Sequence, residues 1–152
     1  MFERATFRVA ALCGAALLGS MGPVAGQAAQ EFILVSAFPL TESASGRPQP
    51  NECDVIVQIL NRHSEPVDSL TIDLAVEINR SSRPEIRTVY FEQAPPTTER
   101  RALMTLSHRC GDVVGLVLLD AGNCIVAGRR TSDCLERIET VGDTTRQIPV
   151  RK

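Results

Sequence analysis

The residues best suited to chemistry in this 152-residue chain are its five cysteines and two histidines. Cys13 lies in an apolar N-terminal run; the others, Cys53, Cys110, Cys124 and Cys134, are spread through the body of the chain. An even set of cysteines in an exported protein reads as two disulfides, and four cysteines allow three pairings. Zinc is the competing chemistry, but no C-x-x-C pair occurs and the spacings fit no common finger, so the disulfide reading is preferred. Copper is the other metal reading, since Met104, His108 and Cys110 lie close in sequence. That group lacks a second nearby histidine, and an oxidised Cys110 could not serve as a ligand.

Other catalytic patterns are missing from the sequence. His63 stands beside Arg62 and Glu65 in a turn-rich stretch, where a solvated histidine is expected. There is no G-x-S-x-G elbow, and neither Ser20 nor Ser36 has a hydrolase motif around it. No glycine-rich loop could cradle a phosphate, and the acids are too many and too scattered for any pair to stand out. The sequence therefore names no catalytic, cofactor-binding or metal-binding residue, and the expectation is a protein that is not an enzyme and holds no cofactor. A net charge of −2 gives no sign of a nucleic-acid partner. Lys152 is the only lysine, a bias that a GC-rich coding sequence gives without selection on the protein. Of the basic doublets Arg100-Arg101 and Arg129-Arg130, the second lies between Cys124 and Cys134 and is the candidate interaction loop. Asn79-Arg80-Ser81 is a formal glycosylation sequon.

The elements that must position these residues begin after a leader. Arg4 and Arg8 precede an apolar run from Val9 to Leu18, too short to span a bilayer, and Gly26 and Ala28 fit the small-x-small rule. Residues 1–28 are therefore expected to be a cleaved signal peptide with a helical apolar segment, leaving 29–152 as a single domain with no transmembrane segment. Periplasmic or secreted export follows, and Cys13 is removed with the leader.

Within the domain, Glu31 to Phe38 is an apolar run closed by Pro39, expected at a sheet edge. Thr41 to Asn51 is a loop rich in Ser, Gly and Pro. From Cys53, Val55, Val57 and Ile59 share one face of a strand. Asn61 to Ser69 is turn-rich, with Pro66 fixing the backbone. Leu70, Ile72, Leu74, Val76 and Ile78 then alternate at strict period two, the strongest structural signal in the chain, which a helix would split over two faces. Glu85 to Glu92 holds the only tyrosine, Tyr90, and is expected as a strand. Ala94 to Thr98 breaks it, and Arg101 to Ser107 is read as another strand from its position. Val113 to Leu119 is an apolar run expected to be buried on both faces. Asp133 and Glu136 form a capping-box pattern for one helical turn from Cys134 to Ile138, and Gln147 to Val150 is expected as a last edge strand.

Six or seven strands with turns about every ten residues are the pattern of an antiparallel β-sandwich. In an immunoglobulin-like sandwich, the second and sixth strands run in one direction on facing sheets, which favours Cys53–Cys110 across the core and Cys124–Cys134 as a local staple. The same arrangement makes Asn61 to Ser69 a crossover between layers.

The cysteine and strand pattern resembles a family. A cysteine-led strand ends in Asn61, Asp68-Ser69-Leu70 opens the next, Cys110 to Asp120 reads CGDVVGLVLLD, and Asp133-Cys134-Leu135 closes the set. Together these resemble small exported bacterial proteins of unknown function with immunoglobulin- or fibronectin-III-like sandwiches. The resemblance implies the fold and an envelope location, and carries over no catalytic residue. The resulting expectation is a non-enzymatic, disulfide-stapled interaction or structural module, meeting a protein partner in the envelope or outside the cell. The alternative is a small-ligand or metal-binding periplasmic protein using Met104 and His108. Neither the partner nor the oligomeric state can be read from the residues.

Overall fold

The computed structural model describes residues 32–40, 51–79, 83–141 and 147–152. The expected signal peptide, the loop at 41–50 and the centre of the sequon lie outside these residues. Two sheets make up the described structure. The first is ordered β5-β2-β1-β8, from β1 (Ile33–Pro39), β2 (Cys53–Asn61), β5 (Glu99–Leu106) and β8 (Ile138–Thr140). The second is ordered β4-β3-β6-β7, from β3 (Val67–Ile78), β4 (Glu85–Ala94), β6 (Val113–Val126) and β7 (Arg129–Arg130), with β9 (Val150–Arg151) also on β6. A one-turn helix, α1 (Cys134–Arg137), leads from the second sheet back to the first.

Side-chain alternation explains why the sheets face each other. Val55, Val57 and Ile59 of β2 and Leu70, Ile72, Leu74 and Val76 of β3 are all fully buried. Each strand thus gives one apolar face to a common core, where apolar burial provides the main favourable term in folding. β2 and β3 lie in different sheets, so residues 62–66 cross between layers, as the expected sandwich topology implied.

Several expectations need correction. The sheets are mixed rather than antiparallel, because β1 pairs with β8 and β6 with β9 in parallel. There are nine strands among the described residues, not six or seven, since β7 and β8 are too short to show periodicity; the strand expected over Gln147 to Val150 is reduced to the Ile148 bridge and β9. β1 is not an edge strand: β2 covers one side and β8 part of the other. Pro39 is tolerated because β8 reaches only Ile33 to Val35, so no neighbour on that side requires its missing N–H.

The Val113–Leu119 run is not buried on both faces. Leu116 and Leu118 enter the core, while Val114 and Leu119 are about half exposed at register shifts against β3. The last segment is a strap between layers: Ile148 bridges to Ala37 in the first sheet, and Val150 pairs with Leu116 in the second. At Gly115, which the strap covers, a Cβ would lie 2.9 Å from Glu77 Oε2 of the neighbouring strand and 3.5 Å from Pro149 O.

Both expected disulfides are present, Cys53–Cys110 and Cys124–Cys134. Cys110 sits in the 3-10 turn Cys110–Asp112, where the chain passes from β5 in one sheet to β6 in the other. The bridge thus ties the start of β2 to a crossing between layers. Cys124–Cys134 does the same at the far end of β2, joining β6 to the helix that returns to β8. Such links remove conformational freedom from the unfolded chain, and two of them fit an oxidising compartment outside the cytoplasm. Among the described residues, no helix is long and apolar enough to cross a membrane.

Candidate binding cleft

The site begins with a buried polar residue. Asn61 ends β2 with no solvent exposure, and such a side chain is tolerated only if its polar atoms find partners. Its Nδ2 donates to Glu65 O at 3.0 Å and to Ala94 O at 2.8 Å. Its Oδ1 accepts the His63 backbone N–H at 2.9 Å. The crossover is thereby folded into a compact loop and fastened to the end of β4.

His63 completes this loop, and the expectation of a solvated histidine is overturned. The residue is only 7% exposed, because Asn61 draws its backbone inward. Its Nδ1 accepts the Glu65 N–H at 3.2 Å, which leaves the proton of a neutral ring on Nε2. Both backbone polar groups of Glu65 are now held, which fixes the point from which its side chain leaves the loop.

Opposite stands the arginine hairpin. β6 and β7 pair Val126 with Arg129 and Ile125 with Arg130 across a two-residue turn. Ala127 and Gly128 both have positive φ, as a tight turn matching strand twist demands. Glycine suits that backbone and alanine does not, so neighbours must hold the turn. The Ala127 N–H donates to Pro66 O at 2.9 Å, and the Gly128 N–H to Asp68 Oδ2 at 2.6 Å. Thr131 N–H donates to Cys124 O at 2.9 Å, and the Cys124–Cys134 bridge closes the loop.

Between the hairpin, α1 and the crossover lies an open cleft of about 370 Å³. Phe32, Ile33 and Val126 give it an apolar wall, and Thr131 and Ser132 bring hydroxyls. Arg62 lies 4.9 Å from the centre of the Phe32 ring, a cation–π distance that braces this wall. Arg129 pairs with Glu65 at 3.6 Å. Arg130 also lines the cleft, and its side chain has no ion-pair or hydrogen-bond partner among the described residues.

Asp133 does not cap α1 as the capping-box pattern suggested; no side-chain cap hydrogen bond forms. Arg137, one turn on, takes its carboxylate instead, with Nε and Nη2 each 2.8 Å from Oδ2. A charged partner at i,i+4 wins over a neutral N–H in so short a helix. The Arg137 hydrogen bond holds the Asp133 pKa below its ordinary value.

The candidate metal residues are not brought together. Met104 is buried in the core face of β5, whereas His108 lies 3.4 Å from Glu85, which also pairs with Arg87. Cys110 is in its disulfide. Among the described residues, no group of three or more His, Cys, Asp or Glu is placed to hold a metal ion. Sequence reasoning marked Arg129 and Arg130 but missed Asn61, His63 and Glu65. The one available signal was the polar ending of an otherwise apolar strand.

Comparison with known proteins adds a fold relationship. No protein-family model matches the chain, and no curated protein matches it in sequence. Among solved structures, the chain is similar to IrmA from Escherichia coli, with a TM-score of 0.56 and 18% identity, over 80% of this chain and 100% of that one. At that identity, the likeness is one of fold.

Proposed function

We propose that the chain is an exported, non-enzymatic interaction module of the bacterial envelope, with an immunoglobulin- or fibronectin-III-like sandwich and a cleaved signal peptide at 1–28. It works in the periplasm or outside the cell by contact with a protein partner. The observation that carries this reading is the arginine hairpin: exposed Arg129 and Arg130, on a turn held by Pro66, Asp68 and the Cys124–Cys134 bridge. A pre-ordered loop loses little conformational entropy on binding, and arginine is enriched among residues that dominate interface energies. The two disulfides and the N-terminal leader pattern support export.

A second reading, a small-ligand protein, draws on the cleft, whose volume lies within the range of small-molecule sites. The decisive experiment compares retention from envelope and secreted fractions by the wild-type protein and by the double variant Arg129→Glu/Arg130→Glu. A partner retained by the first and lost with the second supports the proposal. Equal retention, or no specific retention by either, contradicts it.

A further inference from the structure

We infer that the cleft receives a carboxylate carried by an acidic segment of the partner protein, with Arg130 as its main contact and Arg129 released from Glu65 to join it. This inference rests on the reading of the hairpin as a contact surface.

The charge arrangement argues for an anion. Two carboxylates lie at the cleft and each already has an arginine, but the two pairs are unlike. Asp133 is held by two nitrogens of Arg137 at 2.8 Å, a closed pair. Glu65 stands 3.6 Å from Arg129, beyond a good hydrogen bond, and the two side chains are 43% and 78% exposed. A contact of that kind is weak in water and readily exchanged. Arg130 has no counter-charge among the described residues. One uncompensated guanidinium and one loosely held one therefore share a rim, and their forked donors match a carboxylate.

The cleft's form points to a protein-borne carboxylate. The arginines are largely open to solvent, so a small free anion would leave them hydrated and gain little. A segment attached to a protein surface brings its own cover, and excluding water strengthens each charged contact. The apolar wall of Phe32, Ile33 and Val126 suits the methylene stems of acidic side chains, and the cleft has room for a segment carrying more than one of them.

Glu65 then acts as a competitor. Its backbone is fixed by Asn61 and His63, which keeps its carboxylate within reach of Arg129 when the cleft is empty. It lowers affinity for weakly acidic segments and favours those able to displace it.

The test titrates the full exported protein, labelled with nitrogen-15, with an amidated glutamate-rich hexapeptide, its glutamine counterpart, succinate and inorganic phosphate. Arginine side-chain and backbone signals are followed by NMR. The glutamate peptide is expected to shift signals of Arg129, Arg130 and the Cys124–Cys134 loop. R130A should weaken it about tenfold and R130K by less, as expected from loss of one charge-assisted contact. E65Q should tighten it severalfold. Unchanged amide spectra away from the cleft establish that the variants are folded. Equal binding of the glutamine peptide, no effect of R130A, or equally tight succinate or phosphate would overturn the inference. Partner retention that depends on Arg129 and Arg130 without any binding of the glutamate peptide sinks the carboxylate alone. Retention indifferent to both arginines sinks the contact surface itself.

Discussion

Asn61 Nδ2 donates to Ala94 O at 2.8 Å, joining the end of β2 to the end of β4 across the two layers. Alanine at position 61 would strand the Ala94 and Glu65 carbonyls and the His63 N–H in or near the interior. The expected cost is about 2–4 kcal/mol, measured as a lowered midpoint of urea unfolding, because buried polar groups without partners keep their desolvation penalty. A change within error would show that water replaces the side chain freely.

The two faces of the sheets should respond differently to the same substitution. Leu74 is fully buried and Leu103 is 53% exposed. Leu74→Ala is expected to cost about 2–5 kcal/mol through lost burial and the cavity left behind. Leu103→Ala should stay within about 0.5 kcal/mol. Thermal or denaturant unfolding of both variants decides, and similar losses would contradict the assignment of faces.

Free-thiol titration of the folded exported protein should find no reactive thiol at Cys53, Cys110, Cys124 or Cys134. The sequence separations of 57 and 10 residues imply unequal contributions. In the chain-entropy account, replacing Cys53 and Cys110 by Ser costs about 4 kcal/mol, and replacing Cys124 and Cys134 about 3 kcal/mol. Non-reducing peptide mapping checks the connectivity directly.

Asp133 supplies a pH prediction. Its carboxyl titrates below the ordinary value because Arg137 stabilises the ionised form. A depressed folded pKa gives stabilisation that is present above the unfolded Asp value and is lost as the pH falls through the lower, folded value. NMR titration of the side chain should place its midpoint below that of a model aspartate. Arg137→Met should move it upward. An unshifted midpoint in the wild-type protein would dismiss the pair as a solution feature.

The fold was legible where burial leaves a local pattern. Leu70 to Val76 in β3 announced a buried strand face because each residue alternates with an outward neighbour, whatever lies beyond. The cysteine pairing followed from placing two strands in facing sheets. β8 and the parallel pairing of β8 and β9 had no such trace, since two or three residues carry no period and the pairing is set by distant chain. The exposed Val114 and Leu119 misled for a related reason: hydrophobicity alone does not say which face a bulge turns outward.

The site was legible in part. Arg129 and Arg130 stood out by type and by the cysteines around them. His63 was misjudged because its burial depends on Asn61, and Asn61 in turn depends on a carbonyl 33 residues away. Turn composition describes the local backbone and is silent about which buried acceptor a side chain will find.

The stapled hairpin is proposed as the surface by which the protein meets its partner. Hydrogen–deuterium exchange of the protein alone and with the retained partner tests it most directly. Added protection is expected at residues 62–66 and 124–137, with β4 and β5 unchanged. Protection confined to β4 and β5, where Ile86, Tyr90 and Leu103 are exposed, would contradict it.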